Sequence, residues 1–385
     1  MMYKFPSSLL RTRWAISTIF FCYGLTFASW ASRIPTIQEK FSLSEAELGT
    51  LLLMLPIGSF ISLPIAGFLV AKWNSFLVTR LSIILYLVSL VVISLSENIF
   101  LLGLVLFLFG LMGNMVNIAI NTQAVSLEKK YEKNVMASFH GMWSLAGFFG
   151  AIVGAFMIGK EVLLTYHYTI VFGGSILAAL VSFNFLIRSD LDNSKDKPIF
   201  AIPDKSLLLL GIIAFCSMMC EGTMFDWSGV YYKNVVKAPK YILGLAYTFF
   251  MVSMAGTRFA ADYFTSKFGV RKVVFFSGVL NFSGLLLLIL MPGKYFSLIA
   301  FLIVGAGVSS VVPLVFSLAG RAKTMSPSIA LAAVSTMGFF GFLLGPPLIG
   351  YLSSWLNLQS AFSFVAIMAL GVTILATQIK SSTKT

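Results

Sequence analysis

The residues able to do chemistry gather in one stretch, Phe215-Cys-Ser-Met-Met-Cys-Glu-Gly-Thr-Met-Phe-Asp-Trp227. It places two carboxylates, Glu221 and Asp226, in an apolar run long enough to cross a bilayer. A carboxylate at mid-span costs roughly 2.5–3.5 kcal/mol on insertion scales, so such groups face a bundle interior or a water-filled cavity. Gly222 lies beside Glu221 and weakens the helix there, as in the interrupted helices that form solute sites in membranes. Glu221 falls about 22 Å from the inner end of its span, at ~1.5 Å per residue. The chemistry expected of it is proton exchange with a cavity. The alternative is an acid that keeps its proton and only hydrogen-bonds a neighbouring helix.

Other polar groups in apolar segments carry weaker expectations. Asp226 lies nearer the outer surface, where either a gate pair with Arg33 or an interfacial carboxylate in water is expected. Five residues turn an ideal helix by about 140°, so Glu221 and Asp226 share a face only if the helix unwinds. Arg258 is either a cavity cation or an arginine that snorkels to the surface. His140, near the inner end of its span, suits proton handling because histidine titrates near pH ~6.5. A neutral histidine bonded to a backbone carbonyl is the competing expectation. Asn114, Asn117 and Asn121 recur at helical spacing and make a polar stripe. They either line a cavity or bond between helices. Trp30, Trp143 and Trp227 are candidate aromatic walls, and Trp30 and Trp227 equally suit an interfacial belt. Two histidines far apart make no metal site, and Cys22, Cys216 and Cys220 form no CxxC, so no metal or cofactor is expected. No phosphate-binding loop or hydrolase motif is present, which argues against an ATP-driven pump and against an enzyme.

These groups must be positioned by membrane helices. Hydrophobic residues make up 58% of the 385 and charged residues 11%, against ~25% charged in a soluble domain. The net charge of +13 is scattered over short loops, without the concentrated patch that nucleic acid needs. Twelve apolar spans are expected, near 14–33, 47–71, 76–95, 99–121, 137–159, 166–187, 206–230, 241–266, 272–291, 295–318, 328–351 and 359–379. The first follows Lys4, Arg11 and Arg13 and is too long for a signal peptide. With the N-terminus in the cytoplasm, 19 of the 27 lysines and arginines fall inside and 7 outside, with Arg258 within a span. That bias places both termini on the cytoplasmic side of the cell membrane.

The two halves repeat each other. Residues 144–159 align with 335–350 at eight of sixteen positions, and Gly49, Ala66 and Lys72 align with Gly244, Ala261 and Lys267. Trp30 pairs with Trp227 in the same order. The expected fold is therefore an all-α membrane protein of two pseudo-symmetric six-helix bundles, 1–187 and 206–385, joined by a polar cytoplasmic loop, 188–205. Gly150 and Gly341 in the repeated segments let backbones approach, and Pro346-Pro347 should bend span eleven. Together with Arg33 these are the expected gating residues.

The sequence resembles the major facilitator superfamily over nearly its whole length. The resemblance rests on Ala28-Ser-Trp-Ala-Ser-Arg-Ile-Pro35, Ile120-Asn121, His140-Gly-Met-Trp-Ser-Leu-Ala-Gly147, Glu221-Gly222, Asp226-Trp227, Thr257-Arg-Phe259 and Gly345-Pro-Pro-Leu-Ile-Gly350. Within that superfamily it is similar to the rhizopine-transport (MosC-like) branch, related to fucose-permease-like carriers. The superfamily's loop between spans two and three reads Gly-x-Leu-x-Asp-Arg-x-Gly-Arg; here it is Gly67-Phe-Leu-Val-Ala-Lys-Trp-Asn-Ser75. Ala71 replaces the aspartate, Asn74 the glycine and Ser75 the second arginine, while the second copy keeps Lys267, Gly269, Arg271 and Lys272. The resemblance implies a small-solute carrier working by alternating access, and a monomer is expected. A sugar or polyol moved with a proton suits the amide stripe and the aromatic rings. Proton-driven efflux of amphipathic compounds, and a non-transporting receptor on a carrier scaffold, are the alternatives.

Overall fold

The computed structural model describes residues 7–131, 135–188, 205–321 and 327–379. Among them the chain is helical throughout: α1 (Ser7–Ser32), α2 (Ile34–Lys40), α3 (Glu45–Leu52), α4 (Met54–Leu95), α5 (Ile99–Tyr131), α6 (Met136–Gly159) and α7 (Leu164–Phe183). After the expected loop 188–205, which lies almost wholly outside the described residues, come α8 (Lys205–Asn234), a 3₁₀ turn (Lys240–Ile242), α9 (Leu245–Phe268) and α10 (Val270–Leu290). The chain continues with α11 (Lys294–Val308), α12 (Val311–Ala319), α13 (Pro327–Trp355) and α14 (Leu358–Ala376). Among the described residues eleven stretches are long and apolar enough to cross a bilayer, and one of them, Glu45–Leu95, has 51 residues. At ~1.5 Å per residue it is about twice as long as a ~30 Å core requires, so it makes two passes. The total is the twelve that composition predicts.

What divides α4 is one residue. Asn74 has φ 71° and ψ 163°, and its side-chain oxygen accepts from the N–H of Leu77, restarting the helix. Its counterpart in the second half, Gly269, has φ 80° and ψ 154° between α9 and α10. The sequence repeat thus reappears as a repeated backbone conformation, which glycine adopts freely and asparagine at a cost. A Cβ built on Gly269 meets nothing within 4 Å, so steric crowding is absent there. Gly269→Ala is expected to destabilise by roughly 1–3 kcal/mol through backbone strain alone, read as a lower thermal midpoint.

The helices form two compact units: one holds α1 and α4–α7, the other α2, α3 and α8–α14. The units differ from the sequence halves by one segment, residues 34–53, which packs with the second unit. Its contacts there are specific. Glu39 pairs with Lys233 at 3.1 Å and Lys240 at 3.7 Å, and Asn234 donates to Glu45 at 3.1 Å. Lys233 beside Glu39, by hydrogen bond and by charge, holds its carboxyl below the usual carboxylate range. A depressed folded-state value stabilises above the ordinary carboxylate range, and that support is lost as pH falls through the lower folded value. Glu39 is half exposed, so the effect is modest.

Surface and interior are inverted relative to a soluble protein. Phe68, Phe100, Leu177 and Phe259 are exposed, while Ser62, Thr79, Ser144 and Thr223 are buried. Many buried hydroxyls are served locally: Thr26 donates to the Cys22 carbonyl, Ser82 to that of Val78 and Thr223 to that of Met219. This satisfies polar groups without water, as a lipid environment demands.

The repeated glycines do their work inside each unit. A Cβ on Gly150 would lie 2.6 Å from that of Ala28 on α1, and one on Gly341 would meet the Phe215 backbone of α8. Pro346 and Pro347 lie within α13, which stays helical through them. Because these contacts hold α6 on α1 and α13 on α8, Gly150→Leu and Gly341→Leu are expected to cost at least roughly 1–3 kcal/mol of overpacking each. The readout is loss of monodisperse protein on size exclusion.

Candidate functional site

The site forms where three spans of the second unit meet. Glu221 sits midway along α8, Arg258 on α9, and the third element is the break between α11 and α12. The break has a sequence cause. The Ser309 carbonyl would bond the N–H four residues on, but that residue is Pro313, which has none. Arg258 takes the orphaned carbonyl instead, its Nε donating to the Ser309 oxygen at 3.1 Å. The Ser309 hydroxyl turns back to the Ala306 carbonyl at 2.9 Å and lies 3.1 Å from that of Ser310. The same guanidinium reaches Glu221, with Nη2 to Oε1 at 3.6 Å and side-chain exposures of 27% and 15%. The arginine is therefore oriented by a backbone carbonyl that cannot titrate, and its charge is matched by a carboxylate that can.

Straight-helix arithmetic separates Glu221 and Arg258 by about 10 Å in depth; the structure brings them into contact. Removing one partner of a secluded pair leaves an unmatched charge, at up to roughly 3–5 kcal/mol. Arg258→Met is therefore expected to lower the thermal midpoint more than the double variant Arg258→Met/Glu221→Gln. Equal losses would show that the pair is not coupled.

Asp226 lies five residues on, and α8 remains helical through Gly222, so the two acids stay on different faces. Gly222 makes room for the Phe342 ring, 3.0 Å from where its Cβ would be. Asp226 is half-buried and makes no hydrogen bond among the described residues. Tyr247 on α9 is its electrostatic neighbour, and that phenol is buried without a hydrogen-bond partner. Trp227 is fully buried, with its indole N–H likewise unpartnered.

The remaining candidates lie in the first unit. Arg33 is 3% exposed; its Nε donates to His167 Nδ1 at 3.1 Å and its Nη2 to the Val162 carbonyl at 2.8 Å. That pins the end of α1 to α7, a partnership for which the sequence offered no signal. His140 is exposed near the start of α6, with Phe20 edge-on at 5.4 Å. Asn114 ties α5 to α4, donating to the Ser59 carbonyl at 2.9 Å and to the Ser62 hydroxyl at 2.6 Å. Asn121 donates to the Asn117 side chain at 2.9 Å and backbone carbonyl at 2.7 Å. Trp30 packs by Phe109 and Trp143 by Tyr23 and Phe27, both with unpartnered indole N–H groups. Sequence reading passed over Gln123, which is buried and closes a clamp with Ser75 Oγ at 2.6 Å and with the Ile187 backbone through both ends of its amide. It also passed over Ser309 and Ser310, although the proline four residues after Ser309 marks the spot. Among the described residues no cluster of histidine, cysteine or carboxylates has metal-site geometry.

Comparison with known proteins gives one consistent result. The profile of the Major Facilitator Superfamily matches residues 15–324 and again 210–381. An uncharacterized transporter of Sinorhizobium fredii is 32% identical over 376 residues, covering 96% of this chain and 99% of that one. The membrane protein MosC of Rhizobium meliloti is 30% identical over 365 residues, 94% of this chain and 88% of that one. The crystal structure of a point mutant of the nucleoside transporter NupG superposes with a TM-score of 0.75 at 13% identity, covering 95% of this chain and all of that one. At that identity the likeness speaks for the fold alone.

Proposed function

Because the chain belongs to the Major Facilitator Superfamily, and is thus a multi-pass membrane transporter rather than an enzyme, we propose that it is a proton-coupled symporter of a small, neutral, polar solute such as a sugar or polyol. The observation that carries this is the Glu221–Arg258–Ser309 arrangement at the broken span. A titratable acid is held against a cation whose other contact is fixed, in a span where a permanent lone charge is costly. Proton uptake by Glu221 loosens its hold on Arg258 and frees guanidinium donors for a solute hydroxyl. Proton release re-forms the pair and returns the empty carrier. In the first unit, Asn117 offers its amide N–H, which has no partner among the described residues, and Asn121 an amide oxygen. Both suit hydroxyl groups. The charge bias of the loops supports both termini lying in the cytoplasm, with two bundles, 1–187 and 206–385, joined by the loop 188–205.

The test is uptake into proteoliposomes. With an inward proton gradient, labelled D-glucose, D-sorbitol or a related solute should accumulate, and a protonophore should reduce it to equilibration. Equal accumulation with and without the gradient would remove the proton. Efflux of lipophilic cations in place of sugar uptake would overturn the solute class.

A further inference from the structure

At the end of the second unit remote from residues 205 and 379, two cavities of about 440 Å³ and about 330 Å³ meet at Glu45 and Asn234. Both fall within the ~300–1,000 Å³ of small-molecule sites. The lining is polar, and its side chains share one feature: each amide is pinned at one end and free at the other. Asn234 uses its N–H groups on Glu45 at 3.1 Å and Gln38 at 3.4 Å, leaving its oxygen free. Gln359 donates to the Ile289 carbonyl at 2.6 Å and keeps its oxygen. Asn357 spends its oxygen on the Ser360 N–H at 2.7 Å and keeps its amide N–H groups. Glu45 has one carboxylate oxygen unengaged. In the wall of the larger cavity, Ser353 is 6% exposed and its hydroxyl has no partner among the described residues.

We propose that this groove is a second solute site, taking a neutral polyhydroxylated molecule before it reaches the Glu221 site. Donors and acceptors alternate on side chains already fixed in place, which matches a ligand whose every hydroxyl both donates and accepts. The Ser353 hydroxyl is shut behind the wall and unserved, so a ligand that parts the wall there gives it a partner. Charge argues against an anion. Lys233 and Lys240 both pair with Glu39, while Glu45 is engaged among the described residues by the Asn234 amide, so the lining keeps a carboxylate that repels anions and accepts from hydroxyl donors. The polyol class rests on the carrier reading above; the geometry of the groove does not.

The experiment is equilibrium binding of tritiated D-sorbitol and D-glucose to the full chain in nanodiscs, beside proton-driven uptake in proteoliposomes. Wild type should bind two equivalents of at least one of them. Ser353→Ala removes a hydroxyl that holds nothing in the protein, so folding is spared and one of the two sites should weaken about fivefold. Ser353→Met fills the cavity and should leave one equivalent. If Ser353→Met does not fold, Ser353→Ala decides alone. Unchanged affinity and stoichiometry in Ser353→Ala, or no binding by wild type, overturns the groove. A single wild-type equivalent lost on Ser353 substitution upholds the groove and removes the solute from the Glu221 site. The carrier reading is judged separately, by uptake, and can fail while the groove stands.

Discussion

Glu221→Gln is expected to exchange solute between equal pools at near the wild-type rate and to lose accumulation entirely. The amide keeps the size of the acid and offers Arg258 an oxygen at the place where the carboxylate now lies 3.6 Å away. It cannot carry a proton. Exchange needs only reorientation of the loaded carrier, so it survives. Accumulation needs release of a proton on the far side. A one-unit proton gradient is worth about 1.4 kcal/mol, or about tenfold accumulation for one proton per neutral solute, and that factor should collapse to one. If Glu221 were only a hydrogen-bonding acid, the amide would replace it with little loss, and Glu221→Leu alone would be damaging. Normal pH-driven accumulation by Glu221→Gln would remove the acid from coupling and turn attention to Asp226 and its neighbour Tyr247.

The twelve spans were legible because bilayer thickness sets segment length and because charged residues are rare enough to mark the loops. The duplication was legible in Gly49/Gly244 and in the glycine-rich segments, and its structural counterpart is the shared backbone at Asn74 and Gly269. The site was only half legible. Glu221 and Arg258 stood out as charges in apolar runs, but their contact depends on helix crossing, which a one-dimensional depth estimate omits. Ser309 is a small polar residue of ordinary type, and its importance comes from a proline one turn later. The direction of each asparagine also depends on tertiary contact. Asn114 spends its donors between helices, whereas Asn117 keeps its amide N–H, and helical spacing makes the two look alike. Segment 34–53 was assigned by adjacency to the first half. Its partners, Lys233, Asn234 and Tyr351, come from distant sequence.

That segment leads to the second large effect. Residues 34–53 are continuous with α1 and α4 of the first unit, yet they are held by the second. Alternating access displaces the bundles of a carrier against each other, so the segment must let go of the second unit or bend at both ends. Its polar contacts are weak: a half-exposed ion pair at Glu39, hydrogen bonds from Lys233 and Asn234, and a hydroxyl contact of 3.0 Å between Thr50 and Tyr351, each worth about 1 kcal/mol or less. The firmer hold is the close packing of α3 on α13, where a Cβ on Gly49 would lie 3.0 Å from the Gly350 Cα, and release must part that seam. Tethering it should therefore stop the cycle. In Thr50→Cys/Tyr351→Cys a short, reducible thiol-specific bifunctional reagent can span the two side chains, which are exposed, whereas Cys22, Cys216 and Cys220 are buried. Cross-linked protein is expected to lose at least about 90% of both uptake and exchange, while binding of solute persists. Reductant should restore flux, and each single cysteine variant treated alike should transport normally. Loss of exchange as well as uptake separates this block from the Glu221→Gln phenotype, in which exchange is spared. Full transport by the cross-linked carrier would mean that the segment travels with the second unit throughout, and that the chain flexes at Arg33 and Leu53 instead.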